Sequence, residues 1–263
     1  MNLVLKIGKH LPKRIKRLIT LLYQKWSTKI IVDKEMIEDL IDFYNMKLGY
    51  TEYKLSYDEA ISLCKVAWRL NADFWNILNP KTEEEIKEFY KIIPYYPFEL
   101  AYWHMWIGQR RFRKEVVRQS FGEVLDYGGG IGDLCIELAK KGLNVTYGDV
   151  QGINWEFAKY LFKKRGYNIA MIDLGEGKLP KEKKYDTIIC IDTIEHIPNP
   201  EVVLKDIAAH LKSGGRLIIT ALNCIGKKED NPMHLKMNFD AEELLNSFGV
   251  FKSETYEWLW AKK

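Results

Sequence analysis

Three evenly spaced glycines and an aspartate follow a short apolar run near the middle of this 263-residue chain. Asp126 stands two residues before Gly128, and Gly130 and Gly132 follow. Glycine has no Cβ, so its backbone can take positive φ angles and lie close against a ligand. A strand that runs into such a turn and then into a helix is where α/β sheets bind nucleotide-like ligands. The pattern predicts a nucleotide-type site, although a tight turn without a ligand would use the same residues.

The spacing of the glycines also bears on the kind of ligand. A dinucleotide fingerprint, Gly-x-Gly-x-x-Gly, requires glycine where this chain has Asp133. A carboxylate at Asp126 would repel a phosphate and would suit a ligand that carries an ammonium group. A second acid, Asp149, ends a predicted strand and could accept hydrogen bonds from a ribose diol. Because a nicotinamide cofactor also carries such a diol, a nicotinamide-dependent oxidoreductase stays open as an alternative.

Two histidines in the second half of the chain are candidate catalytic bases. His196 follows an apolar strand pattern in the segment Glu195-His196-Ile197-Pro198, and His234 lies in a later polar segment. An imidazole, with an unperturbed pKa of about 6.5, can take the proton of a hydroxyl group near neutral pH. Each histidine could instead order its own loop through hydrogen bonds.

The elements that must position these residues alternate between strand and helix patterns from residue 122 onward. Strands are predicted at 123–127, 144–149, 170–173, 185–191 and 216–221. Helices are predicted at 132–141, 154–165, 200–212 and 241–248, with a fifth near 178–183. This alternation predicts a Rossmann-like α/β fold, with a mostly parallel sheet and helices on both faces. The last segment, 250–263, allows either a tight hairpin at 251–255 and 257–261 or a single strand.

The first 96 residues are predicted to be helical. Two capping boxes, Ser56-x-x-Glu59 and Thr82-x-x-Glu85, precede apolar-periodic runs. We expect helices at 34–47, 57–77 and 83–92, and one longer helix at 98–119 that leads into the first strand. We therefore divide the chain into a basic tail, a helical region and an α/β domain, at residues 1–32, 33–96 and 97–263.

Charge is distributed unevenly along the chain. Residues 1–30 carry eight Lys or Arg and no acid, so a net charge of +4 leaves 4 − 8 = −4 for the remainder. Apolar residues recur at helical spacing from Leu11 to Trp26, which predicts an amphipathic basic helix. Such a helix could pack on its own domain, contact a membrane surface or bind nucleic acid. We hold peripheral membrane contact through residues 1–30 open and do not expect a nucleic-acid partner.

The cysteines and the longest apolar runs bear on the compartment. Four widely separated cysteines predict neither a zinc site nor a disulfide framework. The sequence has no apolar run of about 18 residues and no secretory signal pattern. We expect a cytoplasmic protein, with membrane association left open, and the oligomeric state stays undetermined.

Residues 122–222 resemble the class I S-adenosylmethionine-dependent methyltransferases, in the small-molecule branch that includes the ubiquinone and menaquinone enzymes. The resemblance rests on Asp126-x-Gly-x-Gly-x-Gly132, on the acids that end the second and third strands, and on the segment Tyr185–Pro200. Leu211-Lys-Ser-Gly-Gly215 then follows as in that branch. The resemblance implies a seven-strand methyltransferase sheet and S-adenosylmethionine as the cofactor, and we expect no metal.

The resemblance also implies roles for individual residues. The cofactor-binding set would be Asp126, Gly128, Gly130, Gly132, Asp149, Val150, Asp173, Leu174 and Asp192. In the family, the acid at the position of Asp173 bonds the adenine amino group, although a turn or cap residue would be acidic as well. His196 and His234 are the candidate catalytic residues.

The acceptor of the methyl group is predicted from the aromatic residues before the glycine turn. They would suit a small apolar or aromatic acceptor, quinone-like or lipid-like, and comprise Tyr95, Tyr96, Phe98, Tyr102, Trp103 and Trp106. The same residues could serve only to pack a helix on the sheet. A non-catalytic S-adenosylmethionine-binding protein is a further alternative, because the family has no invariant catalytic residue.

Overall fold

The computed structural model describes residues 29–49, 54–175, 178–222, 231–235 and 239–263. The basic helix predicted between Leu11 and Trp26 lies outside these ranges, as does Cys224. Cys64, Cys135 and Cys190 are buried free thiols. No helix in the described ranges is long and apolar enough to cross a membrane.

A twisted sheet of seven strands forms the centre of the described part of the chain. The strands are β1 (Glu123–Tyr127), β2 (Asn144–Asp149), β3 (Ala170–Asp173), β4 (Tyr185–Cys190), β5 (Leu211–Ile219), β6 (Val250–Lys252) and β7 (Leu259–Lys262). Their order is β3-β2-β1-β4-β5-β7-β6. The first five strands pair in parallel, and β7 pairs antiparallel with both β5 and β6. This architecture confirms the predicted fold class.

The strand reversal at the end of the chain resolves the question that the sequence left open. Both β6 and β7 are present, so the hairpin is correct and no strand is lost. β7 enters between β5 and β6, where Trp260 faces Leu217 across the ladder and is buried. The strands are shorter and lie further apart than the predicted pair at 251–255 and 257–261.

Helices cover both faces of the sheet because neighbouring strand residues point in opposite directions. Val124 belongs to one apolar cluster and Leu125 to the other. The cluster of Val124 includes residues of α5 (Ile107–Gln119), α6 (Asp133–Lys140) and α7 (Ile153–Arg165). The cluster of Leu125 includes residues of α8 (Pro200–His210) and α9 (Ala241–Ser247).

The helical region before the sheet contains α1 (Lys34–Leu48), α2 (Tyr57–Leu78) and α3 (Glu83–Ile92). These bounds agree with the predicted helices to within one residue. Both predicted capping boxes are present, at Ser56–Glu59 and Thr82–Glu85. The buried carboxylate of Asp39 pairs with Lys164 (Nζ to Oδ1, 2.7 Å) and with Arg165. This ion cluster fastens α1 to α7.

The prediction of one helix at 98–119 is wrong. The segment forms α4 (Tyr96–His104) and α5, with a break at Met105 and Trp106. At the break the backbone pairs with residues 29–31: Ile31 N donates to Met105 O (3.0 Å) and Ile107 N donates to Lys29 O (2.9 Å). These long-range bonds replace helical ones, and no local sequence pattern indicates them.

Two further expectations about bounds are wrong. Residues 178–183 contain no helix. The helix predicted at 200–212 ends at His210, because β5 begins at Leu211 and pairs there with Tyr185. The Gly214-Gly215 pair therefore lies inside β5, where the register shifts between Tyr185 and Thr187. The two glycines are therefore part of an irregular strand and do not end the preceding helix.

Candidate functional site

A cavity of about 240 Å³ opens where the carboxyl ends of β1, β2 and β4 meet. This edge of a parallel sheet is where ligands bind in open α/β folds. The sheet side of the cavity is formed by the residues that follow these three strands. The opposite side is formed by the helical region and α4, through Ile86, Lys87, Tyr90, Tyr96, Leu100 and Trp103.

The glycine turn forms the floor of the cavity. Gly128 (φ +75°) and Gly130 (φ +54°) take left-handed backbone conformations. Gly129 is packed so tightly that an added Cβ would lie 2.6 Å from the ring of Tyr147. The Tyr147 hydroxyl donates to Gly130 O at 2.7 Å. The turn is thus held from behind, and its bare backbone faces the cavity.

Asp149, at the end of β2, lies on the cavity wall beside this turn. Its Oδ2 accepts from Gly130 N and its Oδ1 accepts from Val150 N, both at 2.7 Å. Burial raises the pKa of this carboxyl to about 7, against the lowering effect of the two backbone donors. Each carboxylate oxygen has a second lone pair, so a pair of ribose hydroxyls can donate to it.

Asp126, in β1, is a buried carboxylate that also lines the cavity. Its Oδ2 accepts a hydrogen bond from Cys135 Sγ at 3.2 Å. Burial raises the pKa of Asp126 to about 6. An ammonium group bound beside it would favour the ionised form.

A partly buried ion network that sequence reasoning missed adjoins Asp126. Arg113 Nη2 donates to Asp133 Oδ1 at 2.6 Å, and His104 Nδ1 lies 3.0 Å from Asp133 Oδ2. Burial alone would raise the pKa of Asp133, but Arg113 and His104 hold it well below its usual range. Asp133 stands where the dinucleotide pattern requires glycine. In this structure it pairs with Arg113, a cation that lines the cavity.

Asp192 and Leu174 complete the wall, whereas Asp173 does not line it. Asp192 has a φ of +47° and accepts from Trp103 Nε1 (3.2 Å) and Thr220 Oγ1 (2.8 Å). The Asp173 carboxylate accepts from Gly175 N at 2.8 Å, as a turn residue does. Gly132 (φ +76°) begins α6 and also lies outside the cavity lining.

The two candidate bases lie next to each other, and one of them lines the cavity. His196 ends a short 3-10 turn, Ile194–His196, and lines the cavity. The ring centroids of His196 and His234 are 4.9 Å apart. One polar side-chain atom from each of Glu195, His196 and His234 lies within 4.8 Å of those of the other two. His234 does not itself line the cavity.

Of the six aromatic residues expected near an acceptor, Tyr96 and Trp103 line the cavity. Phe98 is buried in the core, and Tyr95 packs near Phe74 of α2. Ile86 and Tyr90 of α3 also line the cavity, and neither was predicted as a site residue from the sequence. Only their spacing on a helix could have suggested an inward face.

The residues present fit S-adenosylmethionine. The turn at Gly128–Gly130 presents backbone without side chains to the cavity, and a Cβ added at any of its three glycines would lie within 3.0 Å of a neighbouring side chain. Asp149 can receive a ribose diol, and Asp126 can face an ammonium group. The structure thus brings into one cavity most of the predicted site residues: Asp126, Gly128, Gly130, Asp149, Val150, Leu174, Asp192 and His196.

Comparison with known proteins yields one family and several partial relatives. Residues 104–262, more than half of the chain, match the family described as "Methyltransferase domain". The ubiquinone biosynthesis O-methyltransferase of Rickettsia felis is 34% identical over 101 residues, which cover 38% of this chain and 41% of that protein. The Coxiella burnetii protein of the same name is 35% identical over 101 residues, covering 38% and 43%. The chain thus spans about two fifths of the length of these relatives.

One solved structure is similar to this chain at a lower level of identity. It is the O-methyltransferase from a trans-AT polyketide synthase multienzyme of Brevibacillus brevis, in complex with S-adenosyl-L-homocysteine. It is 18% identical, with a TM-score of 0.46, and the match covers 55% of this chain and 52% of that one.

Proposed function

Because the chain belongs to the class I S-adenosylmethionine-dependent methyltransferase family, we propose that it transfers a methyl group to a hydroxyl oxygen of a small apolar or aromatic acceptor. The observation that carries this proposal is that His196 shares one cavity with the glycine turn and Asp149. Family membership and the glycine spacing both favour methyl transfer over the nicotinamide-dependent alternative.

Two carboxylates beside the glycine turn hold different parts of the cofactor in this proposal. S-Adenosylmethionine, when bound, would supply an electrophilic methyl carbon on a sulfonium, with the neutral thioether S-adenosylhomocysteine as a good leaving group. Asp149 accepts hydrogen bonds from the ribose hydroxyls, and Asp126 faces the ammonium group. Because the leaving group is already good, most of the rate enhancement can come from holding the acceptor oxygen in line with the methyl carbon.

His196 is the proposed general base. A hydroxyl oxygen becomes a strong nucleophile when its proton is removed as it attacks, and a neutral imidazole can take that proton near neutral pH. His196 lies in the cavity on a short turn, and its Nδ1 is engaged by protein atoms. With the proton on Nδ1, Nε2 carries the lone pair, and we assign to it the role of receiving the acceptor proton.

The walls near His196 favour an apolar or aromatic acceptor. Ile86, Tyr96, Leu100 and Trp103 face the cavity, with Ile197 and Val202 near its opening. Such side chains exclude water and offer flat apolar surfaces. The name of the relatives, ubiquinone biosynthesis O-methyltransferase, supports a quinone-like acceptor.

The proposal is tested by incubating the protein with labelled S-adenosylmethionine and a cell extract. We expect label in the organic-solvent phase, and we expect His196→Ala to reduce it by about 10²- to 10⁴-fold, the usual range for a general base. Calorimetry with S-adenosylhomocysteine should show that the variant still binds cofactor.

Other outcomes of this experiment would contradict specific parts of the proposal. Label in RNA, protein or polar metabolites would overturn the acceptor class. Unchanged transfer by His196→Ala would exclude the base. No label in any fraction, with S-adenosylhomocysteine still bound, would favour a non-catalytic binding protein.

A further inference from the structure

Tyr90 of α3 contacts His196 from outside the matched part of the chain. Its hydroxyl oxygen lies 2.8 Å from His196 Nδ1, and the two residues are 106 positions apart. The match to the methyltransferase family begins only at residue 104. The helical region therefore supplies a polar partner to the candidate base, in addition to forming one wall of the cavity.

The position of Tyr90 is fixed by an aromatic cluster. Its ring lies 5.3 Å from that of Phe89, 5.7 Å from that of Tyr96 and 6.3 Å from that of Trp75, measured between centroids. The same cluster includes Met233, which is buried. Because these rings surround Tyr90, its hydroxyl has little freedom to leave His196.

A second contact determines which nitrogen of His196 carries the proton. The Met233 carbonyl oxygen lies 3.2 Å from the same Nδ1. A carbonyl can only accept, so this contact is a hydrogen bond only when Nδ1 is protonated. The carbonyl therefore favours the tautomer in which Nε2 has the lone pair, which is the form that a base requires. The Tyr90 hydroxyl can donate to or accept from a ring nitrogen, so its contact fixes the position of the ring and does not itself select the tautomer.

We propose that Tyr90 is a positioning residue: it holds the His196 ring against the Met233 carbonyl, and the carbonyl keeps the proton on Nδ1 and the lone pair on Nε2. The inference rests on the proposed function, because it assigns to the helical region a part in activating the acceptor hydroxyl. Tyr90 acts through His196 and not on the cofactor.

The first test measures the tautomer directly and needs no turnover. Protein labelled with ¹⁵N-histidine is examined by NMR with S-adenosylhomocysteine bound, and His196→Ala identifies the His196 signals. We expect the Nδ1–H form in the wild type. In Tyr90→Phe we expect a substantial fraction of the Nε2–H form, because the ring is no longer held against the Met233 carbonyl. The control Tyr57→Phe removes a hydroxyl from an exposed residue of α2 and should match the wild type. An Nε2–H form in the wild type, or an unchanged tautomer in Tyr90→Phe, would overturn the inference.

The second test measures methyl transfer with 4-methylcatechol as the probe acceptor. We expect Tyr90→Phe to lower kcat by about tenfold or more, with the KM for S-adenosylmethionine unchanged within about twofold. In a His196→Ala background, Tyr90→Phe should cause no further loss, because the two residues act as one unit. Equal losses in both backgrounds would mean that Tyr90 acts without His196. If 4-methylcatechol is not methylated, the proposed function fails for this acceptor, and the NMR result still decides the role of Tyr90.

Discussion

Two carboxylates beside the glycine turn are held in surroundings that disfavour their charge. Burial raises the pKa of Asp126 to about 6 and that of Asp149 to about 7. Keeping ionised groups in such places lowers the free energy of unfolding of the protein. These positions suit ligand binding, because a ligand that supplies an ammonium group or hydroxyl donors stabilises the charged forms of the two carboxyls.

Asp126→Asn should therefore stabilise the cofactor-free protein in a pH-dependent way. The pKa of Asp126 is about 6 in the folded state, above the usual 3.8. The contribution of this carboxyl to stability is therefore fully present below pH 3.8, and it is lost as the pH rises through 6. Relative to the wild type, we expect the variant to gain about 1–3 kcal/mol between pH 5 and pH 8. Urea unfolding at the two pH values measures this difference, which also cancels any constant cost of the buried amide.

The same variant should bind S-adenosylhomocysteine about ten- to hundredfold more weakly, because a charge-assisted hydrogen bond is lost. Asp58→Asn, an exposed acid on α2, is the control and should change neither property. Unaltered affinity of Asp126→Asn would show that Asp126 does not face the ammonium group.

At the scale of elements, the β1–α6 junction combines two constraints on backbone shape. Gly128 and Gly130 have positive φ angles, which residues with a side chain rarely adopt. Gly129 does not, and there it is contact with Tyr147 that leaves no room for a side chain. Tyr147, which contacts Gly129 from behind, is fully buried and bonds to Gly130 O. The floor of the site is thus defined by packing between β1 and β2.

Gly129→Ala is expected to destabilise the fold by about 1–3 kcal/mol, since the new Cβ would lie 2.6 Å from the Tyr147 ring. Displacement of that ring should also disturb the turn and weaken S-adenosylhomocysteine binding. Gly166→Ala is a useful control, because it meets no atom within 4 Å and introduces only left-handed strain at φ +73°. Thermal unfolding and calorimetry would measure both effects, and equal affinity in the two variants would argue against a packed floor.

At the scale of the whole molecule, the N-terminal part of the chain contributes to the site from the side opposite the sheet. α3 and α4 line the cavity, and residues 29–31 pair with the break between α4 and α5. The basic tail joins the described structure at this point. A lipid-like acceptor and a basic amphipathic tail would both be served by contact with a membrane surface.

Removal of residues 1–28 should abolish flotation with anionic liposomes, because seven of the eight tail cations and the apolar positions from Leu11 to Trp26 are lost. The truncation keeps residues 29–31, which pair with the α4–α5 break. Cofactor binding should therefore be retained. Liposomes of neutral lipid are the control, and flotation of the truncated protein equal to that of the full chain would exclude the tail as the contact.

The sequence by itself determined the fold class, the positions of the strands along the chain and most of the residues that the structure gathers in one cavity. Each of these depends on short-range patterns: alternating strand residues, helical periodicity, capping boxes, and glycines directly after β1. Asp126, Asp149 and His196 could be identified because each stands at or just after the end of a strand, and parallel strands bring those ends to one edge.

The tertiary structure alone decided the features that depend on contacts between distant residues. The pairing of Ile31 with Met105, which divides a helix predicted at 98–119, involves positions too far apart for any local pattern. The same holds for Arg113 with Asp133 and for Tyr90 with His196. A periodic pattern records which face of an element is apolar, but it does not record which other element that face will meet.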